Sequence, residues 1–361
     1  MPSISLMVLS KGGADDTPLM LIEKDGFWRE VLPSAAGIPP AQARSLFDQR
    51  LNEAMLQVDQ GKPMPAARLS GPCASLYAAL VPWDIRVLLQ QTREPGARLN
   101  IHAQAAFDWI PWELLFDPEL QAFLGLHFQI SRLPIVTKPP VAATQPRVVR
   151  HIHNVLGKKV LDQAGDAALF DKWVTTFAQV DPSNVTCIPS GHAAAYVGVE
   201  VLQEAVSSDI LHVTCHGMRN DALGNFWTLD KDASTYVGAI SSEAIGVLPL
   251  TNGRPLVFGN ACFSAAAATG MSSGLGPAFF RRGALNLIGT LAPVSKTLAI
   301  DFARKFYADL FGSPGNGGPH AIGEALLSAK NSFHAAAGGD PSYLLYCLYG
   351  PADTCFILTR D

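Results

Sequence analysis

ILHVTCHG, residues 210–217, is the stretch on which the reading of this chain turns. Ile210 to Thr214 read as a short strand, and His216-Gly217 follow at its carboxyl end. A second stretch, LVFGNACFSA at 256–265, repeats the arrangement: Pro255 to Ala261 read as a strand, and Cys262-Phe263-Ser264 follow. In an open α/β sheet, ligands and catalytic side chains collect at the carboxyl ends of parallel strands, where helices begin and backbone N–H groups point outward. One such end here carries an imidazole and the other a thiol.

The flanking sequence supplies the rest of such a sheet. Val148 to Val155 and Val185 to Ile188 read as strands, with helices over Ala164 to Val180 and His192 to Val206, so residues 148–214 form a βαβαβ run. Beyond Ala261 the pattern continues with a helix from Leu275 to Arg282 closed by Gly283, a strand from Ala284 to Leu291, two helices, and a terminal strand from Thr354 to Leu358. The expected fold class is α/β, a parallel-dominated sheet flanked by helices, because parallel neighbours need right-handed crossovers of a dozen residues or more.

Upstream, KPPVAATQPR (Lys138 to Arg147) has three prolines in ten residues and reads as a linker. It divides the chain into an N-terminal α/β subdomain, 1–140, and a second domain, 141–361. The first has strand pieces at Ile4 to Leu9, Leu19 to Ile22 and Trp28 to Val31. A helix over Ala41 to Gln57 aligns Ala43, Phe47, Leu51 and Met55 on one face. A helical pattern from Ser75 to Gln91 is interrupted at Pro82, and a strand spans Arg98 to Ala103. A short helix begins at Pro111 in IPWELLFD, and Leu124 to Ser131 read as a strand. His102 and Cys73 are read as structural.

Composition narrows the function classes. The 361 residues carry 27 Lys plus Arg against 31 Asp plus Glu, a net charge of -4, which argues against a nucleic-acid partner. Hydrophobic residues at 48% and charged residues at 16% exclude a disordered chain. The start reads as no secretion signal, and the longest apolar runs, Leu256 to Thr269 and Ala284 to Val294, are too short to cross a bilayer. A cytoplasmic protein with no membrane partner is expected. Six cysteines without CxxC spacing fit reduced thiols and exclude a zinc ribbon. His212 and His216, four apart on a strand, would lie about 13 Å apart and could not share a metal ion. Gly270 to Gly274 matches GxSxG, with Asp301, Asp309 and His320 or His334 downstream, but no strand precedes Ser272 as a nucleophile elbow requires.

His216 and Cys262 have two readings. Singly, each fits a bland role: a small buried thiol, a histidine at a turn. Together they fit a catalytic pair. A thiol near pKa 8.5 is only a few per cent thiolate at neutral pH and needs an imidazole, a helix N-terminus, or both. The small residues from Ser264 to Ala268 permit a helix or tight turn with amides facing the sulfur. Gly217 permits close approach of a substrate carbonyl, so that the amides of Gly217 and Cys262 form an oxyanion hole.

These stretches, together with GLGPAFFRRGALNLIGTLAPV (274–294), IDFARKFYADLFG (300–312), IGEALLSAK (322–330) and LYCLYGPADTCFIL (345–358), resemble the CHAT family of caspase-like clan CD cysteine proteases, relatives of separase. The resemblance covers about residues 146–361. It implies a cysteine endopeptidase with His216 as general base and Cys262 as nucleophile, acting on a protein substrate without metal or organic cofactor. It also implies a regulated bacterial protease of a defence or stress system, controlled by a partner protein. IPWELLFD and LGLHFQISR resemble the segment that precedes this region in relatives, which makes 1–140 a candidate degenerate caspase-like half. Where many relatives carry Trp and an acidic pair, this chain has Ala292 and Ser295-Lys296. Ser295 and Lys296 are therefore candidate substrate-pocket residues favouring an acidic or neutral side chain before the scissile bond. The rival reading is a catalytically silent caspase-like scaffold.

Overall fold

The structure is a computed structural model that describes residues 2–10, 18–24, 26–31, 40–60, 62, 64–92, 94–135, 145–157, 185–188, 202–203, 205–220, 224–229, 239–251, 253–266, 274–312, 320–336 and 339–358. The expected helix at 164–180, most of the one at 192–206, of which 202–203 and 205–206 are described and helical, most of the linker, and Gly270 to Ser273 of the GxSxG match lie outside them. The chain divides into two compact units, residues 1–135 with 327–345, and residues 136–326 with 346–361.

In the first unit, β1 (Ser3–Ser10), β2 (Pro18–Lys24) and β3 (Phe27–Val31) form an antiparallel meander, followed by helices α1 (Pro40–Asp59), α2 (Ala67–Leu80) and α3 (Trp83–Gln91). β4 (Arg98–Ala103) then pairs in parallel with β1, and β5 (Gln129–Arg132) in parallel with β4. Phe47, Leu51 and Met55 of α1 are buried, as their helical spacing requires. The expected strand from Leu124 to Ser131 is instead a helical turn, Leu124–His127, followed by β5. The turn packs on IPWELLFD at Gly125, where a β-carbon would come within 2.7 Å of the Glu113 carbonyl oxygen.

A buried ionic cluster accounts for the acid in that motif. Glu113 accepts from Arg132 Nε at 3.0 Å and Nη2 at 2.6 Å, while Arg132 also donates to the carbonyls of Asp108 and Ile110. Lys330, contributed by the returning segment, is 3% exposed and bears on the same carboxylate. Burial pushes the Glu113 carboxyl up, but Arg132 and Lys330 outweigh it and hold the group below the usual carboxylate range.

In the second unit, β6 (Ile152–Leu156), β7 (Val185–Ile188), β8 (Ile210–Thr214), β9 (His216–Asn220), β10 (Gly224–Thr228), β11 (Leu256–Asn260), α4 (Leu275–Arg281), β12 (Asn286–Thr290), α5 (Lys296–Phe311), α6 (Ile322–Ala335) and β13 (Tyr346–Tyr349) follow one another. Strand order in its main sheet is β7-β6-β8-β11-β12-β13, parallel except for β13, which runs antiparallel to β12. β9 and β10 form a hairpin that leaves this sheet. α6 begins in this unit and, from residue 327, belongs to the other.

Both faces of the sheet are covered. On one, Leu211, Val213, Val257 and Leu287 pack with Trp227 and with Leu275 and Phe279 of α4. On the other, Phe258 meets Phe306 and Tyr307 of α5, and Phe302 stacks on Tyr346 with centroids 4.0 Å apart. Strands buried on two sides read as continuous apolar runs, which is how LVFG reads; in LHVT the buried His212 and Thr214 break the run. No helix among the described residues is long and apolar enough to cross a membrane.

Candidate active site

The two singled-out strands are hydrogen-bonded neighbours. β8 and β11 pair in parallel from Ile210↔Leu256 to Thr214↔Asn260. His216 stands two residues past Thr214, and Cys262 two past Asn260, so one register carries both to the same edge. There Gly217 presses on Cys262: a β-carbon at 217 would overlap the Cys262 carbonyl oxygen and stand 2.5 Å from its carbonyl carbon and 2.9 Å from its amide nitrogen. His216 and Cys262 are both half-buried, open in part to solvent.

Buried polar groups set both strand ends. His212, pointing into the α5 side, bonds Tyr307 Oη at 3.1 Å through Nδ1 and Thr214 Oγ1 at 3.0 Å through Nε2, and stacks on Phe258. Burial pushes its pKa down to about 3, so it is neutral. Opposite Thr214, Asn260 donates to the Ala299 carbonyl at 3.0 Å and accepts from Tyr346 Oη at 2.9 Å. α5 is thus hydrogen-bonded to β8 four residues before His216 and to β11 two residues before Cys262.

After β11 the chain makes a tight turn at 262–265, and Phe263 adopts φ +57°, left-handed backbone that a non-glycine residue rarely takes. Cys215, next to His216, is 6% exposed; burial, with the nearby Cys262 adding, pushes its pKa up and keeps the thiol protonated. None of the five cysteines with described side chains is in a disulfide. Among the described residues no cluster of three or more His, Cys, Asp or Glu could hold a metal ion.

Ser295 and Lys296 lie at the carboxyl side of β12. Ser295 is the N-cap of α5, its Oγ accepting the Leu298 N–H at 3.4 Å, and Lys296 is exposed. Thr290, buried and bonded to the Cys262 turn, went unnoticed in the sequence, and Ser264 was read only as a small residue of that turn. The one available signal was a polar residue closing an otherwise apolar strand.

A mostly parallel sheet with helices on both faces and one antiparallel final strand defines a caspase-like α/β protein. The family model of the CHAT domain matches residues 71–338, and the chain belongs to that family. Gingipain R, an Arg-specific cysteine proteinase, superposes with TM-score 0.52 at 10% identity, over 78% of this chain and 70% of that one. The complex of Porphyromonas gingivalis RgpB pro- and mature domains gives 0.51 at 11%, over 78% and 71%. The Saccharomyces cerevisiae separase–securin complex gives 0.46 at 14%, over 73% of this chain, which spans only 16% of the separase chain. No curated protein matches the sequence. The fold is one shared with cysteine proteases of the caspase-like clan.

Proposed function

We propose that the chain is a cysteine endopeptidase in which His216 is the general base and Cys262 the nucleophile. The observation that carries this reading is the Thr214↔Asn260 register with Gly217 seated on the Cys262 backbone. The Cys262 thiolate attacks the peptide carbonyl, and the amides of Gly217 and Cys262 take the oxyanion, each donor worth on the order of 3 kcal/mol. His216 hands the proton to the leaving amine, and water releases the acyl group from the thioester. The reaction needs no metal or organic cofactor.

Lys296, exposed at the edge where β12 ends, supports a preference for an acidic or neutral side chain before the scissile bond, with Ser295 holding the start of α5 beside it. The substrate is a protein, and a partner protein governs access, as befits a bacterial cytoplasmic protease of a defence or stress system. Residues 1–140 serve as a catalytically inactive caspase-like half, and residues 141–361 as the protease domain.

The test is proteomic mapping of new N-termini after incubation with a cell extract. The parent chain should generate termini that both Cys262→Ala and His216→Ala fail to produce. Identical termini from parent and variants would mean a catalytically silent scaffold instead.

A further inference from the structure

The turn that carries Cys262 is fastened by a single residue of the neighbouring strand. Thr290, the last residue of β12, is fully buried and gives all three of its polar groups to that turn. Its Oγ1 donates to the Ala261 carbonyl at 2.8 Å, its amide N–H donates to Ser264 Oγ at 2.8 Å, and its carbonyl accepts the Ala265 N–H at 3.0 Å. Ser264 Oγ in turn donates to the Gly259 carbonyl at 2.7 Å. Glycines make the close packing possible: a β-carbon at 289 would stand 2.7 Å from Ser264 Oγ.

The Ala261 carbonyl and the Cys262 N–H belong to one planar peptide unit and point in opposite directions across it. A group that holds the carbonyl therefore aims the amide. It also polarises the peptide, which strengthens the N–H as a donor. The Ser264 N–H also reaches the Ala261 carbonyl, at 3.3 Å, and Tyr349 and Asn225 hold the carbonyls of Ala265 and Ala266; the Thr290 hydroxyl makes the shorter of the two bonds to the Ala261 carbonyl, and does so from outside the turn.

We infer that Thr290 is a positioning residue for the reaction, its hydroxyl orienting the Cys262 amide toward the oxyanion. The inference rests on the reading of Cys262 as nucleophile. Thr290→Val keeps the shape and removes the hydroxyl, and Thr290→Ser restores it. On a peptide that the parent cleaves, Thr290→Val should lower kcat about 10- to 100-fold with KM unchanged, since a misplaced group costs about this much. Thr290→Ser should stay within about threefold of the parent.

Hydrogen–deuterium exchange of residues 261–266 supplies a readout that needs no turnover. Exchange there should rise about tenfold in Thr290→Val and return in Thr290→Ser. Unchanged kcat despite faster exchange, or protection lost throughout the chain without rescue by Ser, would overturn the inference. If Thr290→Val does not fold, Thr290→Ala, which removes the same hydroxyl, is read in the same way. A parent chain that cleaves nothing while the local exchange pattern holds would count against the peptidase reading and leave the fastening of the turn standing.

Discussion

Gly217 and Cys262 meet backbone to backbone, with no room for a side chain between them. Residue 217 follows the imidazole and residue 262 bears the thiol, so the distance between two strand ends is fixed by an atom that glycine lacks.

Gly217→Ala should therefore force the β9 hairpin away from β11. Overpacking of this kind costs about 1–3 kcal/mol, and the displaced amide should lower cleavage about 100-fold or more. Thermal unfolding and kcat/KM, measured on the same preparation, check both effects.

Glu113→Gln should destabilise the protein by about 3 kcal/mol at neutral pH, since buried Arg132 would lose a bidentate carboxylate and keep Asp108, at 3.6 Å, and two backbone carbonyls. The Glu113 pKa is held low in the folded chain, so its contribution is present above the unfolded carboxylate value. It is lost as pH falls through the folded one. The variant should show a shallower loss of stability below about pH 4.3, readable by denaturant titrations at pH 3 to 7.

His212 gives a different window. Its folded pKa, near 3, lies below the unfolded value of 6.5, so the unfolded chain takes up the proton first. Stability is complete above pH 6.5 and declines below it, by up to about 1.4 kcal/mol per pH unit, until pH approaches 3. His212→Gln should remove that slope between pH 6 and 4, whatever it does to stability at pH 7.

Ser295→Ala and Lys296→Glu should separate a cap from a pocket. Loss of the N-cap hydroxyl should cost about 1 kcal/mol and leave cleavage preference unchanged. Lys296→Glu should leave thermal stability nearly constant and move the preference toward Arg or Lys, seen with a peptide library.

The main sheet was legible because most strands buried on both faces appear as short apolar runs, such as LVFG at 256–259, bounded by helical patterns. The hairpin at 216–228 was not, since Gly217, Arg219 and Asn220 show no strand alternation and the pairing is set by the partner strand. Leu124 to His127 was misread as strand because a short apolar run looks the same in either state, and Gly125 is decided by its contact with Glu113. The final antiparallel strand, Tyr346–Tyr349, was missed for the same want of length. Thr290 was invisible because its three bonds go to a segment 25 to 29 residues away in sequence, beyond any local pattern.

α6 begins in one unit and finishes in the other, and the chain goes back only after residue 345. Dissection at the proline-rich stretch is consequently not a clean cut. A fragment starting at residue 141 would retain Lys330 but lack Glu113, a carboxylate it bears on, and would retain residues 327–345 without residues 1–135 of their unit. The two units are interleaved along the chain, so a cut at the linker cannot yield both of them whole.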